Sequence, residues 1–183
     1  MKYIKIILMV FLFLRTLADA SEYIMNESVG WVKGSASTPT HEFPVVITRF
    51  QVFVDSVDAD NQRTLRVTIP VEGITTEHER RDEHMFSGVL LKDEFPRINY
   101  HAVSNLTEPR EGPFTLEGVL TVQGISKPYT IQGEISQDGD NWIARADFII
   151  LMSDFNLSRP GFGPMKVRDE IKMSLFMKSQ IEK

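Results

Sequence analysis

An alternation of apolar and polar side chains from Phe114 to Ile135 constrains this chain more than any other feature. Phe114, Leu116, Gly118, Leu120 and Val122 interleave with Thr115, Glu117, Val119, Thr121 and Gln123, and Tyr129, Ile131, Gly133 and Ile135 with Thr130, Gln132, Glu134 and Ser136. A period of two places successive side chains on opposite faces of a strand, so both runs are strands with one buried face. Between them Gly124-Ile125-Ser126-Lys127-Pro128 supplies a residue that tolerates positive φ and one that cannot serve a central ladder, which makes the pair an antiparallel hairpin. The buried face carries Gly118 and Gly133 where a filled core would want bulk. Either these glycines leave room inside a curled sheet for a guest, or they relieve curvature and nothing more.

The same reading extends along the chain. Val29 to Lys33, around Trp31, forms a first short strand, and Val45 to Asp55 a second, with Thr48, Phe50, Val52 and Val54 on one side. Leu65, Val67, Ile69 and Val71 alternate with polar residues up to Pro70, and Ile98 to Ser104 is a further strand. Asp138 to Asn141 turns the chain into Trp142 to Leu151, where Trp142, Ala144, Ala146, Phe148 and Ile150 share a face; Ile171, Met173, Leu175 and Met177 share one in the last strand. One helix is expected, Glu77 to Ser87, with Thr76 and Glu79 at capping-box spacing. About eight strands, one short helix and no βαβ spacing predict an all-β fold, an antiparallel sandwich or barrel. Ala144 and Ala146 on the inner face, beside the two glycines, favour a barrel with an apolar cavity.

Residues 1–20 have the form of a signal peptide. Lys2 and Lys5 precede the apolar run Ile6 to Leu14, too short to span a bilayer, and Ala18-Asp19-Ala20 has the small-x-small pattern of a cleavage site. Their loss would remove three positive residues and one negative, taking the net charge from −5 to −7. No basic stripe is visible, which argues against nucleic acid or an anionic membrane surface as partner. The chain has no Cys, so an exported form carries neither disulfides nor a thiol nucleophile. Residues 21–183 suffice for one domain with one core.

Several motifs occur in one order: Thr76-Glu77-His78-Glu79-Arg80-Arg81-Asp82-Glu83-His84-Met85, then Phe95-Pro96-Arg97-Ile98, then Gly118 to Pro128, then Ser153-Asp154-Phe155-Asn156-Leu157 before Arg168-Asp169-Glu170-Ile171. Over roughly Val46 to the C-terminus they make the chain resemble the YceI-like proteins. That resemblance implies an eight-stranded, lipocalin-like antiparallel barrel exported to the periplasm, whose interior holds an isoprenoid, quinone or similar lipid chain, with no catalytic residues. The chain departs from the pattern in a shorter first third without the usual Gly-x-Phe of the early strands, and in Asn156, where the family commonly has Gly.

On this reading the apolar lining consists of Phe50, Val52, Leu65, Val67, Tyr100, Phe114, Leu116, Gly118, Leu120, Tyr129, Ile131, Gly133, Trp142, Ala144, Phe148, Met173 and Leu175. Ordinary core packing would use the same residue types. A polar head at the mouth would meet Arg159, Lys166, Arg168 or the Arg80/Arg81 pair. His78 and Asp82 share a helical face, as metal ligands can, but a solvated helix with local ion pairs is the better account of the same residues. No Gly-x-Ser-x-Gly occurs, and Asp93 and Glu94, adjacent on a strand, would face opposite ways. We therefore expect no enzyme, metal or cofactor. The rival expectation is a filled barrel acting through its outer surface as a stress-related or envelope interaction module, with Val119, Ile143, Ile149, Leu151 and Phe176 forming a homodimer or partner face.

Overall fold

The computed structural model describes residues 21–24, 30–54, 63–104 and 110–180, so the expected signal peptide lies outside the described residues. Eleven strands form a single antiparallel sheet: β1 (Ser21–Ile24), β2 (Gly30–Ser37), β3 (Glu42–Ile47), β4 (Arg49–Val54), β5 (Arg63–Pro70), β6 (Ile74–Thr75), β7 (Arg97–Ser104), β8 (Gly112–Val122), β9 (Ile125–Asp138), β10 (Asn141–Leu151) and β11 (Glu170–Gln180). Their order is β1-β4-β5-β7-β8-β9-β10-β11-β2-β3-β6. Because β3 and β4 are consecutive halves of one strand, with only Thr48 between them, the two ends of that order meet and the sheet closes into a barrel. Treating β3 and β4 as one, and setting aside the short β1 and β6, eight principal strands remain, as expected.

The closure depends on a change of phase at Thr48. Phe43, Val45 and Ile47 point inward on β3, whereas Phe50 and Val52 do so on β4, so the inward set moves from odd to even positions. One residue out of register exchanges the faces of everything that follows. Thr48 is not on the buried side with Phe50, as the alternation had suggested. It is exposed, and its amide and its hydroxyl both donate to the Gly73 carbonyl, at 2.7 and 2.9 Å. A turn of 3-10 helix, Val71–Gly73, interrupts the partner strand at the same level, and Arg49 and Glu72 form an ion pair across it. Irregularities on both partners let one long strand bend and serve two sides of the barrel.

The helix is shorter than expected: α1 is Glu79–His84, followed by one wider π-type turn, Met85–Val89. Thr76 does not form the capping box with Glu79. Instead the Thr76 amide and hydroxyl and the Thr75 hydroxyl all donate to the Asp82 carboxylate, and Arg81 Nη2 donates to the Thr76 carbonyl at 2.7 Å. Burial works against the Asp82 charge, but these hydrogen bonds and the Arg81 guanidinium outweigh it and hold its carboxyl below the usual range. A depressed folded pKa contributes stability above the unfolded value of about 3.9, which is lost as pH falls through the folded value. Asp82→Asn should cost about 1–3 kcal/mol at neutral pH. Chemical denaturation should show the gap from wild type closing below about pH 4; a gap that persists at lower pH would contradict the assignment.

The turn after β10, Met152–Phe155, ends at Asn156 with φ 53° and ψ 27°. This is the left-handed conformation that Gly adopts freely and Asn tolerates better than most residues, so the departure from glycine here preserves the backbone.

Candidate functional site

The inward side chains do not meet across the barrel. They enclose a cavity of about 600 Å³ whose walls are almost wholly apolar. Its far end is packed shut by Val52, Ala102, Phe114, Ile135, Ala144 and Ala146, all buried and none of them on the cavity surface. The other end is roofed by α1 and the Met85–Val89 turn together with the segment from Leu157 to Val167. Two contacts tie down the Met85–Val89 turn: Gln123 Nε2 donates to the Val89 carbonyl, and the Ser158 hydroxyl donates to the Gly88 carbonyl at 2.6 Å.

Of the residues expected to line an interior, Phe50, Leu65, Val67, Tyr100, Leu116, Leu120, Tyr129, Ile131, Phe148, Met173 and Leu175 surround the cavity. Val52, Phe114, Gly118, Gly133, Trp142 and Ala144 do not. Alternation identifies the inward side of a strand but not the height along the barrel, and Val52, Phe114 and Ala144 belong to the packed end. The glycines need a different correction. A Cβ on Gly133 would lie 2.5 Å from the Phe114 ring and 2.2 Å from the Arg145 carbonyl oxygen; one on Gly118 would lie 2.8 Å from the Tyr100 ring and 2.3 Å from the His101 carbonyl oxygen. The space above each glycine is therefore filled by an aromatic ring from the neighbouring wall, and neither glycine creates the cavity.

Ile69, Ile150 and Ile171, which the alternation had placed on the faces of Val67, Phe148 and Met173 without counting them in the lining, and Ile98 line the cavity nearer its mouth. Ile98 lies two residues from Tyr100, so the same alternation assigns it to that face. Met85 and Leu157 come from the roof and carried no periodic signal, and Met152 comes from the turn that follows β10. Five methionines line the space, Met85, Met152, Met165, Met173 and Met177, giving a wall that can adjust its shape cheaply.

The polar groups of the wall are few and satisfied. Tyr100 Oη lies 3.0 Å from the Leu116 carbonyl oxygen and 3.1 Å from that of Tyr129, and burial raises its pKa. The Tyr129 hydroxyl donates to the Ile149 carbonyl; burial, with a smaller contribution from Asp154, pushes it up to about 12. Both phenols are neutral at physiological pH.

Charge is confined to the mouth. Among the described residues His78, Arg80, Arg81 and His84 are the titratable groups on the cavity surface apart from the two tyrosines, and no carboxylate joins them. Arg81 is held over the Phe43 ring at 4.4 Å, and its Nε is buried without a hydrogen bond. Arg80 is exposed and makes no hydrogen bond or ion pair with the described residues. The other head-group candidates lie off the cavity: Arg159 Nε donates to the Val167 carbonyl at 2.8 Å, Lys166 is exposed, and Arg168 borders a separate polar groove with Glu42, Glu170 and Lys172. Asp82 is committed to Thr75 and Thr76, and among the described residues no three metal-type ligands converge.

The outward register does not form one apolar face. Val119 and Ile149 are exposed, Ile143 is buried, and Phe176 stacks on Trp31 at 5.7 Å with Arg145 over it at 5.1 Å.

A closed antiparallel barrel around a roofed apolar cavity defines a lipocalin-like binding architecture. Residues 26–178 match the YceI-like domain model, and the chain belongs to the YceI-like family. It is 30% identical over 118 residues to Protein YceI of Salmonella arizonae and of Salmonella newport, a match covering 61% of this chain and 60% of theirs; the chain thus spans about three fifths of the length of these relatives. Among solved structures, BcnA of Burkholderia cenocepacia superposes with a TM-score of 0.65 at 16% identity, covering 82% of this chain and 96% of that one. A polyisoprenoid binding domain from Saccharophagus degradans gives 0.65 at 8% identity over 91% and 100%. The YCEI protein of Campylobacter jejuni gives 0.58 at 17% identity over 76% and 85%. At these identities the likeness is one of fold. No described helix is long and apolar enough to cross a membrane.

Proposed function

We propose that this protein is a non-catalytic carrier or buffer that sequesters the chain of an isoprenoid, quinone or fatty-type lipid inside its barrel, in the periplasm after removal of the signal peptide. The observation that carries this reading is the cavity of about 600 Å³, almost wholly apolar and basic only at its mouth. Its volume lies within the range of roughly 300–1,000 Å³ typical of ligand pockets, so a long chain must fold back or leave part of itself outside. Affinity would come from apolar area leaving water, at roughly 25 cal/mol per Å², offset by lost chain freedom. Among the described residues no nucleophile with an adjacent base faces the space, which supports binding without catalysis. The space itself speaks against the filled-barrel alternative.

Native mass spectrometry of protein from its own host, with solvent extraction of the bound material, tests the reading. Co-purified long-chain lipid is expected. Protein that carries none and takes up no isoprenoid probe would refute it.

The rim favours an anionic head. Among the described residues the Arg80 side chain has no competing partner. Arg80→Ala should weaken binding of a prenyl phosphate about tenfold, the value of one charge-assisted hydrogen bond, and leave the corresponding alcohol unaffected. Equal effects on both ligands in a fluorescence titration would place the head elsewhere.

A further inference from the structure

Phe162 is 91% exposed, far more than any other large apolar residue described, and it stands beside the cavity mouth. The backbone presents it. Gly161 (φ 118°) and Gly163 (φ 54°) flank it in conformations that side-chain-bearing residues avoid. The Met165 amide donates to the Phe162 carbonyl at 3.0 Å, and the Val167 amide to the Pro160 carbonyl at 2.8 Å. Phe162 is thus the tip of a tied loop. Met165, 44% exposed, both lines the cavity and shares the tip.

From Phe155 to Arg168 the chain has no carboxylate and three cations, Arg159, Lys166 and Arg168. Arg168 lies in the separate polar groove with Glu42, Glu170 and Lys172. Arg159 acts on the Asp169 carboxylate and donates to the Val167 carbonyl, so Lys166 and, across the mouth, Arg80 are left as the positive groups around the tip. No basic run in the sequence announced this cluster, because its members come from segments far apart in the chain.

We propose that this loop docks the cavity mouth onto a phospholipid bilayer, with Phe162 and Met165 entering the interfacial layer and the cations facing anionic headgroups. An aromatic and a thioether in front of lysine and arginine is the arrangement an interface accepts. A protein partner is a poorer fit, since a specific interface buries about 1,000 Å² or more, and these two side chains are the only exposed large hydrophobics at the mouth among the described residues. Docking of this size is weak and reversible, which suits collection of a membrane lipid. The inference rests on the carrier reading for its purpose, and it is tested separately.

The mature full-length chain is sedimented with vesicles of phosphatidylcholine alone and of phosphatidylcholine with phosphatidylglycerol. Uptake of a water-soluble short-chain prenyl fluorophore is measured without vesicles. Wild type should sediment with both, more strongly with phosphatidylglycerol. Phe162→Ser should reduce partitioning about tenfold, the transfer value of one phenyl side chain, and Lys166→Glu by about fivefold or more, on the anionic vesicles only. Neither should change fluorophore uptake in solution. Phe162→Trp should restore partitioning and add a blue-shifted emission on vesicles. The proposal is overturned if Phe162→Ser sediments like wild type, if it loses fluorophore uptake in solution, which would make Phe162 part of the cavity closure, or if light scattering shows a dimer that depends on Phe162. Wild type that binds vesicles yet takes up no fluorophore upholds the docking and removes the carrier reading; the converse removes the docking alone.

Discussion

Leu175→Trp, combined with Val67→Phe, should abolish uptake of an isoprenoid probe, at least tenfold by about 1.4 kcal/mol of lost binding, while leaving Tm unchanged or higher. Leu175 sits on β11 between Val32 and Ala146 of the flanking strands, and Val67 on β5 beside Tyr100. Both side chains are only partly buried although they face inward, because what lies in front of them is the cavity. Adding atoms there fills space that has no protein neighbours, so the larger side chains gain dispersion contacts rather than displacing a packed core. The two substitutions come from different parts of the wall, and together they leave no continuous path for a chain. Thermal unfolding and a fluorescence titration check both halves of the expectation. Unchanged probe affinity in a folded double variant would mean that the chain does not occupy this space.

Gly133→Leu should do the opposite, destabilising the fold by about 3 kcal/mol or more, or a Tm loss on the order of 10 °C for a chain of this size. The first added atom would fall 2.2 Å from the Arg145 carbonyl oxygen and within 2.6 Å of two Phe114 ring atoms. Phe114 is 3% exposed and belongs to the packed end, so the ring has no free direction in which to move. The carbonyl belongs to β10, which pairs with β9 only between Asn141–Ala146 and Gly133–Asp138, and Gly133 sits at the last pair of that ladder. Forcing the backbones apart at this point threatens the whole β9–β10 ladder. A Gly133→Leu protein that melts like wild type would show that the site relaxes freely. Residual probe binding by folded Gly133→Leu is expected, because the cavity lies elsewhere.

The contrast between these two variants shows where reading the chain succeeded and where it could not. Alternation placed Leu116, Ile131, Phe148 and Met173 on inward faces, and the structure agrees, because side-chain direction along a strand is a local property of the backbone. The same logic marked Gly118 and Gly133 as signs of room. Whether a glycine opens space depends on what the next strand places over it, and Tyr100 and Phe114 were already there. Likewise Ala144 and Phe148 share a face of β10, yet one lies at the packed end and the other on the cavity.

Strand number, antiparallel order and family membership were legible from the amino acids alone, because each rests on short-range periodicity and on motifs in a fixed order. Closure through one bent strand at Thr48, the height at which the interior empties, and the choice of Arg80 and Arg81 over Arg159, Lys166 and Arg168 at the cavity mouth were settled only in three dimensions. These depend on register between segments far apart in the chain, and a one-residue slip in that register, invisible to composition or spacing, exchanges inside for outside.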